Sequence, residues 1–211
     1  MSYFPSGTVY GTLLNFRAEW AAWAPRMNEA PYQAPPAAPV LYLKTANTWS
    51  THEAVIPVPA RVPEVEVGAT IGMVMGPGGN VAGYVLMNDL SLPHASLFRP
   101  PVKFKCIDGF LGIGNELLAA GPDVDPAGFR LDVRINGVPR QQLDFSQLVR
   151  DARTLLADVQ AFMTLGEGDV LMLGCDIGQG GARPLARGGD RIELSAPGFA
   201  PLANTLVAES P

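Results

Sequence analysis

Glycine (23 residues) and proline (20) interrupt this chain so often that its apolar residues are left as short runs with little room for long helices. The runs read as strands, because β-rich stretches bounded by turn residues have few other ways to bury themselves. They are Val40–Leu43, Thr70–Met75, Val81–Met87, Leu131–Ile135, Val170–Leu173 and Arg191–Leu194. No internal repeat links them. The proline-rich stretch 30–39 (APYQAPPAAP) is short and lies between structured pieces, so it is expected to be an ordered loop.

One segment has strong helical periodicity. From Phe145 to Met163 the apolar residues fall at 145, 148, 149, 152, 155, 156, 159, 162 and 163. That spacing predicts a single long helix of roughly 28 Å covering one face of a sheet. Asp144 is placed to cap its start, with Gln147 where a capping-box partner belongs. A shorter helix is expected from Phe16 to Trp23. The elements sum to an α+β, mainly β chain with one long helix, expected to form a single domain over residues 1–211.

Composition narrows the function classes. Hydrophobic residues make up 47% and charged residues 17%, the balance of a globular chain with a sizeable interior. A net charge of −5 argues against nucleic acid as a partner, since phosphate binding needs a basic face. No apolar stretch approaches the roughly 20 residues of a membrane span. The first residues lack a charged leader before an apolar run, so a cytoplasmic location is expected. Two cysteines, Cys106 and Cys175, and two histidines, His52 and His94, are too few and too scattered for a Cys/His zinc site. Both cysteines are expected to be small buried apolar residues.

Four stretches, in order, resemble the fumarylacetoacetate hydrolase superfamily. They are Val40-Leu-Tyr-Leu-Lys44, Gly83-Tyr-Val-Leu-Met-Asn-Asp-Leu-Ser91, Lys105-Cys-Ile-Asp-Gly-Phe110, and Thr164 to Gly174 together with Gly188-Gly-Asp-Arg-Ile-Glu193. Within it, Asn88 to Pro93, Phe98-Arg-Pro100, Lys105-Cys106 and Gly68-Ala-Thr70 are similar to an isomerase/decarboxylase branch that works in 4-hydroxyphenylacetate catabolism. The resemblance implies a mixed β-roll or barrel. It also implies an isomerase or decarboxylase acting on a 2-oxo or 2-hydroxy-dienoate dicarboxylate, through an enolate polarised by a divalent cation. A homodimer, or a heteromer with a homologous subunit, is the expected assembly.

In the family the cation is held by a Glu-x-Glu pair and by the aspartate of the Asn-Asp motif, here Asp89. Hard cations such as Mg²⁺ or Mn²⁺ need several oxygen ligands. Glu64-Val-Glu66 offers a pair at the right spacing, because alternate strand residues point the same way. A second register, counted from Ile56-Pro-Val-Pro59 and favoured by the shared Gly68-Ala-Thr70, puts the pair at Gly68 and Thr70. In that register Asp89 alone remains, metal is bound weakly or not at all, and Glu64 and Glu66 are solvent-facing strand residues.

Lys105 is the candidate enolate stabiliser or acid/base, with Asp89 as a proton carrier. Arg17, Lys44 and Arg140 are candidate carboxylate partners, and Cys175 stands where the family has a substrate-contacting hydroxyl. Glu19 and Ala22 occupy the positions of the family's lid His and Glu, so a water-activating dyad is not expected. Two readings follow: a metal-poor isomerase or decarboxylase, and a catalytically impaired subunit that supports a metal-bearing homologue.

Overall fold

A computed structural model describes residues 2–98, 101–178 and 180–209. Arg99 and Pro100, part of the Phe98-Arg-Pro100 resemblance, lie outside the described residues. Strands and helices below are numbered in chain order.

The larger sheet runs β2 (Val40–Lys44), β1 (Val9–Leu13), β12 (Val170–Met172), β6 (Ala69–Met75), β7 (Val81–Asp89), β8 (Leu111–Ile113) and β3 (Trp49–Thr51), with β9 (Leu118–Ala119) also on β7. The smaller sheet runs β11 (Val138–Asp144), β10 (Arg130–Ile135), β14 (Arg191–Ser195), β15 (Leu202–Ala208) and β4 (Val55–Val58). A short ribbon pairs β5 (Val65–Glu66) with β13 (Leu185–Ala186). This is the α+β, mainly β architecture that the punctuated apolar runs imply.

Every residue of β6 is buried, because both faces of the larger sheet are covered. Ile71, Met73 and Met75 face the main core, with Leu131, Val133, Leu194 and Leu206 of the smaller sheet. Val74 faces a second cluster with Val85, Met87, Val170 and Met172. A strand buried on both sides reads as a continuous apolar run rather than an alternating one. Helix α1 (Arg17–Met27) contributes Met27 to the second cluster, against which Trp20 and Trp23 pack. It runs past the expected end at Trp23. Among the described residues no helix is long and apolar enough to cross a membrane.

The long helix does not form. Asp144 does accept from a backbone amide, Ser146 N at 2.8 Å, but what it caps is one 3₁₀ turn, Phe145–Gln147. Leu148 is then extended and bridges Phe16. The Val149 amide donates to the Asn15 carbonyl at 2.7 Å, and the Arg150 amide to Asn15 Oδ1 at 3.0 Å. Asp151 caps the helix that does form, α3 (Ala152–Gln160), by accepting from Thr154 N at 2.7 Å. The Gln147 side chain turns to Ser146 Oγ, so there is no capping box. Helical spacing survives because Phe145, Leu148, Ala152, Leu155 and Val159 all enter one core. Long-range pairing with Asn15 outweighs local periodicity.

Candidate active site

Asp89, at the end of β7, is fully buried, and three side chains converge on it. Lys105 Nζ donates to Oδ2 at 2.6 Å, Tyr42 donates its hydroxyl to the same oxygen, and Lys44 Nζ lies 3.0 Å from Oδ1. Tyr42 and Lys44 alternate on β2 and so point to one side of it. Tyr42 can cross β1 because position 11 is glycine: a Cβ there would lie 2.0 Å from the tyrosine ring. Lys105 ends α2 (Val102–Lys105), a single turn tied to the chain after β7 by Leu92 N donating to the Phe104 carbonyl at 2.8 Å.

The two lysines are not equivalent. Lys44 Nζ also donates to the carbonyls of Lys105, Phe110 (2.8 Å) and Leu90 (3.4 Å), so its protons are all engaged within the protein. It is a structural ammonium rather than a carboxylate partner for a substrate. Lys105 Nζ has Asp89, and the Tyr42 ring centroid at 4.7 Å. Both lysines are buried, which a flanking surface lysine would not be.

Burial alone would raise the Asp89 pKa. The ammonium groups of Lys105 and Lys44, with hydrogen bonds from Lys105 and Tyr42, instead hold it well below the usual carboxylate range. Burial and then the Asp89 charge push the Tyr42 hydroxyl well above its ordinary value, so it stays a neutral donor. Burial, with the charge of Lys105, lowers Lys44 despite the opposing pull of Asp89. The Cys175 thiol is pushed up to about 12 by burial and by Asp89, and its Sγ lies 3.3 Å from the Gly68 carbonyl.

A second charged group adjoins this one. Glu19 on α1 is 2% exposed; its Oε2 accepts from Leu14 N at 2.7 Å, and Oε1 accepts from Arg183 at 2.5 Å. Burial raises the Glu19 pKa, and Arg183 opposes that rise. Arg183 also donates to the Cys175 carbonyl at 3.2 Å and lies 3.5 Å from Glu66. Glu66 is therefore half-buried and paired with Arg183, not a plain solvent-facing residue, whereas Glu64 is exposed and precedes the strand.

The remaining expected residues are dispersed. Arg17, at the start of α1, is exposed, and its side chain makes no hydrogen bond or ion pair among the described residues. Arg140 is exposed and lines a groove whose wall includes Arg183. Cys175 is buried beside Asp89, while Cys106 is only half-buried. Sequence reasoning missed Tyr42 and Arg183. Tyr42 was legible, standing two residues before Lys44 on one strand. Arg183 had no local signal, since its partner lies 164 positions away.

The family implies a divalent cation at this centre. Asp89 is its one carboxylate at the positions concerned, and both oxygens face ammonium groups. Gly68 offers no ligand: a Cβ there would lie 2.4 Å from the Asp89 carbonyl oxygen and 3.1 Å from Cys175 Sγ. The Thr70 hydroxyl donates to the Gly174 carbonyl at 2.6 Å. Among the described residues no three His, Cys, Asp or Glu side chains group to hold a metal. Oxygen-seeking cations need several free, negatively charged ligands, so the residues present do not fit one.

Two packed sheets, with a buried lysine–aspartate centre on the face of the larger sheet turned away from the smaller one, make a fumarylacetoacetate hydrolase-like fold. The chain belongs to that family: residues 8–207 match the one described as fumarylacetoacetate (FAA) hydrolase C-terminal. It is 35% identical to the 4-hydroxyphenylacetate degradation bifunctional isomerase/decarboxylase of Escherichia coli, over 96% of this chain and 48% of that protein. The chain thus spans about half the length of these bifunctional relatives. The crystal structure of 5-carboxymethyl-2-hydroxymuconate delta-isomerase from Mycobacterium smegmatis shares the fold, with a TM-score of 0.79 at 23% identity over 100% of this chain and 82% of that one. So does fumarylpyruvate hydrolase from Pseudomonas aeruginosa, solved with Mn²⁺ and pyruvate, with a TM-score of 0.77 at 22% identity over 98% and 91%.

Proposed function

We propose that this chain is an isomerase or decarboxylase component acting on a 2-hydroxy-dienoate or 2-oxo dicarboxylate in the catabolism of aromatic compounds. The observation that carries the reading is the dry group Tyr42, Asp89 and Lys105, in a chain related over 96% of its length to a bifunctional isomerase/decarboxylase. In isomerisation the 2-hydroxyl proton leaves, the double bonds shift along the chain, and one proton is delivered to the far carbon. In decarboxylation the bond to the carboxylate breaks, its electron pair enters the enolate, and a proton follows.

Lys105 stabilises the negative oxygen of the enolate and moves the proton. An ammonium in a low-dielectric site does this far better than one in water. Asp89 holds Lys105 and Tyr42 in place and balances their charge, and Tyr42 is a neutral donor. With one paired carboxylate at the centre, this chemistry runs on protein charges. Residues 1–211 act as one domain, in the cytoplasm, within a homodimer or a heteromer with a homologous subunit.

The second reading is a supporting subunit for a metal-bearing homologue. The observation favouring it is the same centre, whose one carboxylate faces Lys44 and Lys105. One assay separates the two. Conversion of a ring-cleavage dienoate dicarboxylate is followed by loss of its conjugated absorbance, with the chain alone and then mixed with a metal-bearing homologue. Activity of the chain alone, lost in Lys105→Ala, supports the enzyme. Activity that appears only in the mixture supports the subunit, and none in either rejects both.

A further inference from the structure

The two buried lysines of the centre differ in how many acceptors surround them. Lys44 Nζ meets the carbonyls of Leu90 (3.4 Å), Lys105 and Phe110 (2.8 Å), and Asp89 Oδ1 at 3.0 Å. An ammonium has three N–H donors and no lone pair, so Lys44 is fully supplied as one. Lys105 Nζ has one acceptor among the described residues, Asp89 Oδ2 at 2.6 Å, and on another side the face of the Tyr42 ring. A buried ammonium short of acceptors is costly, whereas a nitrogen with a single N–H is satisfied by a single acceptor. One N–H is what a protonated imine carries.

Decarboxylation of a 2-oxo acid needs a place for the electron pair of the broken bond. A divalent cation does not fit this centre, because Asp89 is the one carboxylate at the ligand positions and faces two ammonium groups. What the centre holds instead is a desolvated lysine beside a second cation, both on one aspartate. That is the setting in which lysines act as nucleophiles toward carbonyl carbon.

We propose that Lys105 forms a Schiff base with the carbonyl carbon of a 2-oxo acid, and that this imine, in place of a metal, is the electron sink for decarboxylation. The Lys105 nitrogen bonds to the carbonyl carbon. The oxo oxygen leaves as water with two of the three ammonium protons, so charge is conserved and no further acid or base is consumed. The remaining N–H donates to Asp89 Oδ2. The bond to the departing carboxylate then breaks, carbon dioxide leaves, and the electron pair passes to nitrogen, giving a neutral enamine. A proton from solvent returns to carbon, and water hydrolyses the imine to restore the ammonium and release the product. Lys44 remains an ammonium throughout and keeps Asp89 oriented. The inference rests on the placement of the substrate at Lys105 in the proposed function and deepens its decarboxylation arm, where the enamine is the nitrogen counterpart of the enolate. The isomerisation arm keeps Lys105 as an ammonium.

The test is reductive trapping on the full wild-type chain in EDTA, so it does not depend on a variant that folds. Pyruvate is the probe, a 2-oxo acid with no second carboxylate to lose, and sodium cyanoborohydride reduces any imine to a stable secondary amine. Intact mass and peptide mapping then locate the adduct, which is simple because the chain has three lysines, Lys44, Lys103 and Lys105. The native protein is expected to gain one carboxyethyl group, on Lys105. Lys105 should carry at least about ten times the label of Lys103, which is exposed on the same helical turn. In urea that preference should disappear. No adduct, an adduct mainly on Lys103 or Lys44, or the same preference in urea overturns the Schiff base. If the dienoate assay shows turnover and no adduct forms, the covalent step alone is wrong. If Lys105 is trapped while that assay is silent, the proposed substrate alone is wrong.

Discussion

Lys105 Nζ and Asp89 Oδ2 meet at 2.6 Å with neither side chain more than 1% exposed, and Lys105 is the leading cause that holds the buried Asp89 carboxyl below its ordinary range. An ion pair this deep is costly to break one-sidedly, because the surviving charge cannot return to water.

Lys105→Met is therefore expected to lower stability by about 3 kcal/mol, since Asp89 keeps Lys44 and Tyr42. It should also cut any isomerase or decarboxylase activity at least about a hundredfold, the usual scale of a lost acid/base group. Urea denaturation and steady-state kinetics measure the two effects separately. A variant with full stability and full activity would remove Lys105 from the site.

Asp89→Asn is expected to be worse, costing about 3–5 kcal/mol. It strands two buried ammonium groups within reach of one another, where Lys105→Met strands none. The order of the two unfolding midpoints is the readout, and Asp89→Asn must fall below Lys105→Met.

Metal analysis of the purified protein should find well under one Mg²⁺ or Mn²⁺ per chain. Calorimetric titration with either ion should show no tight binding, and EDTA should leave the melting temperature unchanged. The reason is ligation: Asp89, the one carboxylate at the ligand positions, already faces Lys44 and Lys105, and Glu19 is taken by Arg183. One-to-one binding in the micromolar range would sink this account of the centre.

Cys175 titrates near 12 instead of its ordinary 9.0. A group whose folded pKa is raised adds stability that is fully present below 9.0 and is lost as the pH climbs through about 12. Only the thiolate reacts with maleimides or iodoacetamide. In a Cys106→Ser background, native labelling of Cys175 at about pH 9 should run roughly a thousandfold slower than in urea-unfolded protein. Comparable rates would show the centre to be open.

Gly11→Ala tests how Tyr42 is placed. The new methyl would sit inside the tyrosine ring, so β2 or the ring has to move, at about 1–3 kcal/mol. Activity should fall together with stability, because the displaced hydroxyl leaves Asp89. A fully active, fully stable variant would show that the Tyr42 contact is dispensable.

The sequence by itself determined much of this protein. Glycine and proline set the strand lengths, and the apolar runs marked β2, β6, β7, β10, β12 and β14 but not the interior strands β1, β8 and β15. Asp89 and Lys105 were legible as a centre through family resemblance, with Lys44 read apart from them as a carboxylate partner, and Tyr42 could have been added from strand alternation. Tertiary structure decided the rest. The periodicity from Phe145 to Met163 was real, but Asn15 captures the Val149 and Arg150 amides and breaks the helix into a turn and α3. Lys44 became a structural ammonium because three carbonyls from distant segments surround it. Arg183 found Glu19 across the chain, drawing Glu66 in with it. Local patterns record which surface each residue buries; which charges meet inside is fixed only when strands far apart in sequence close on one another.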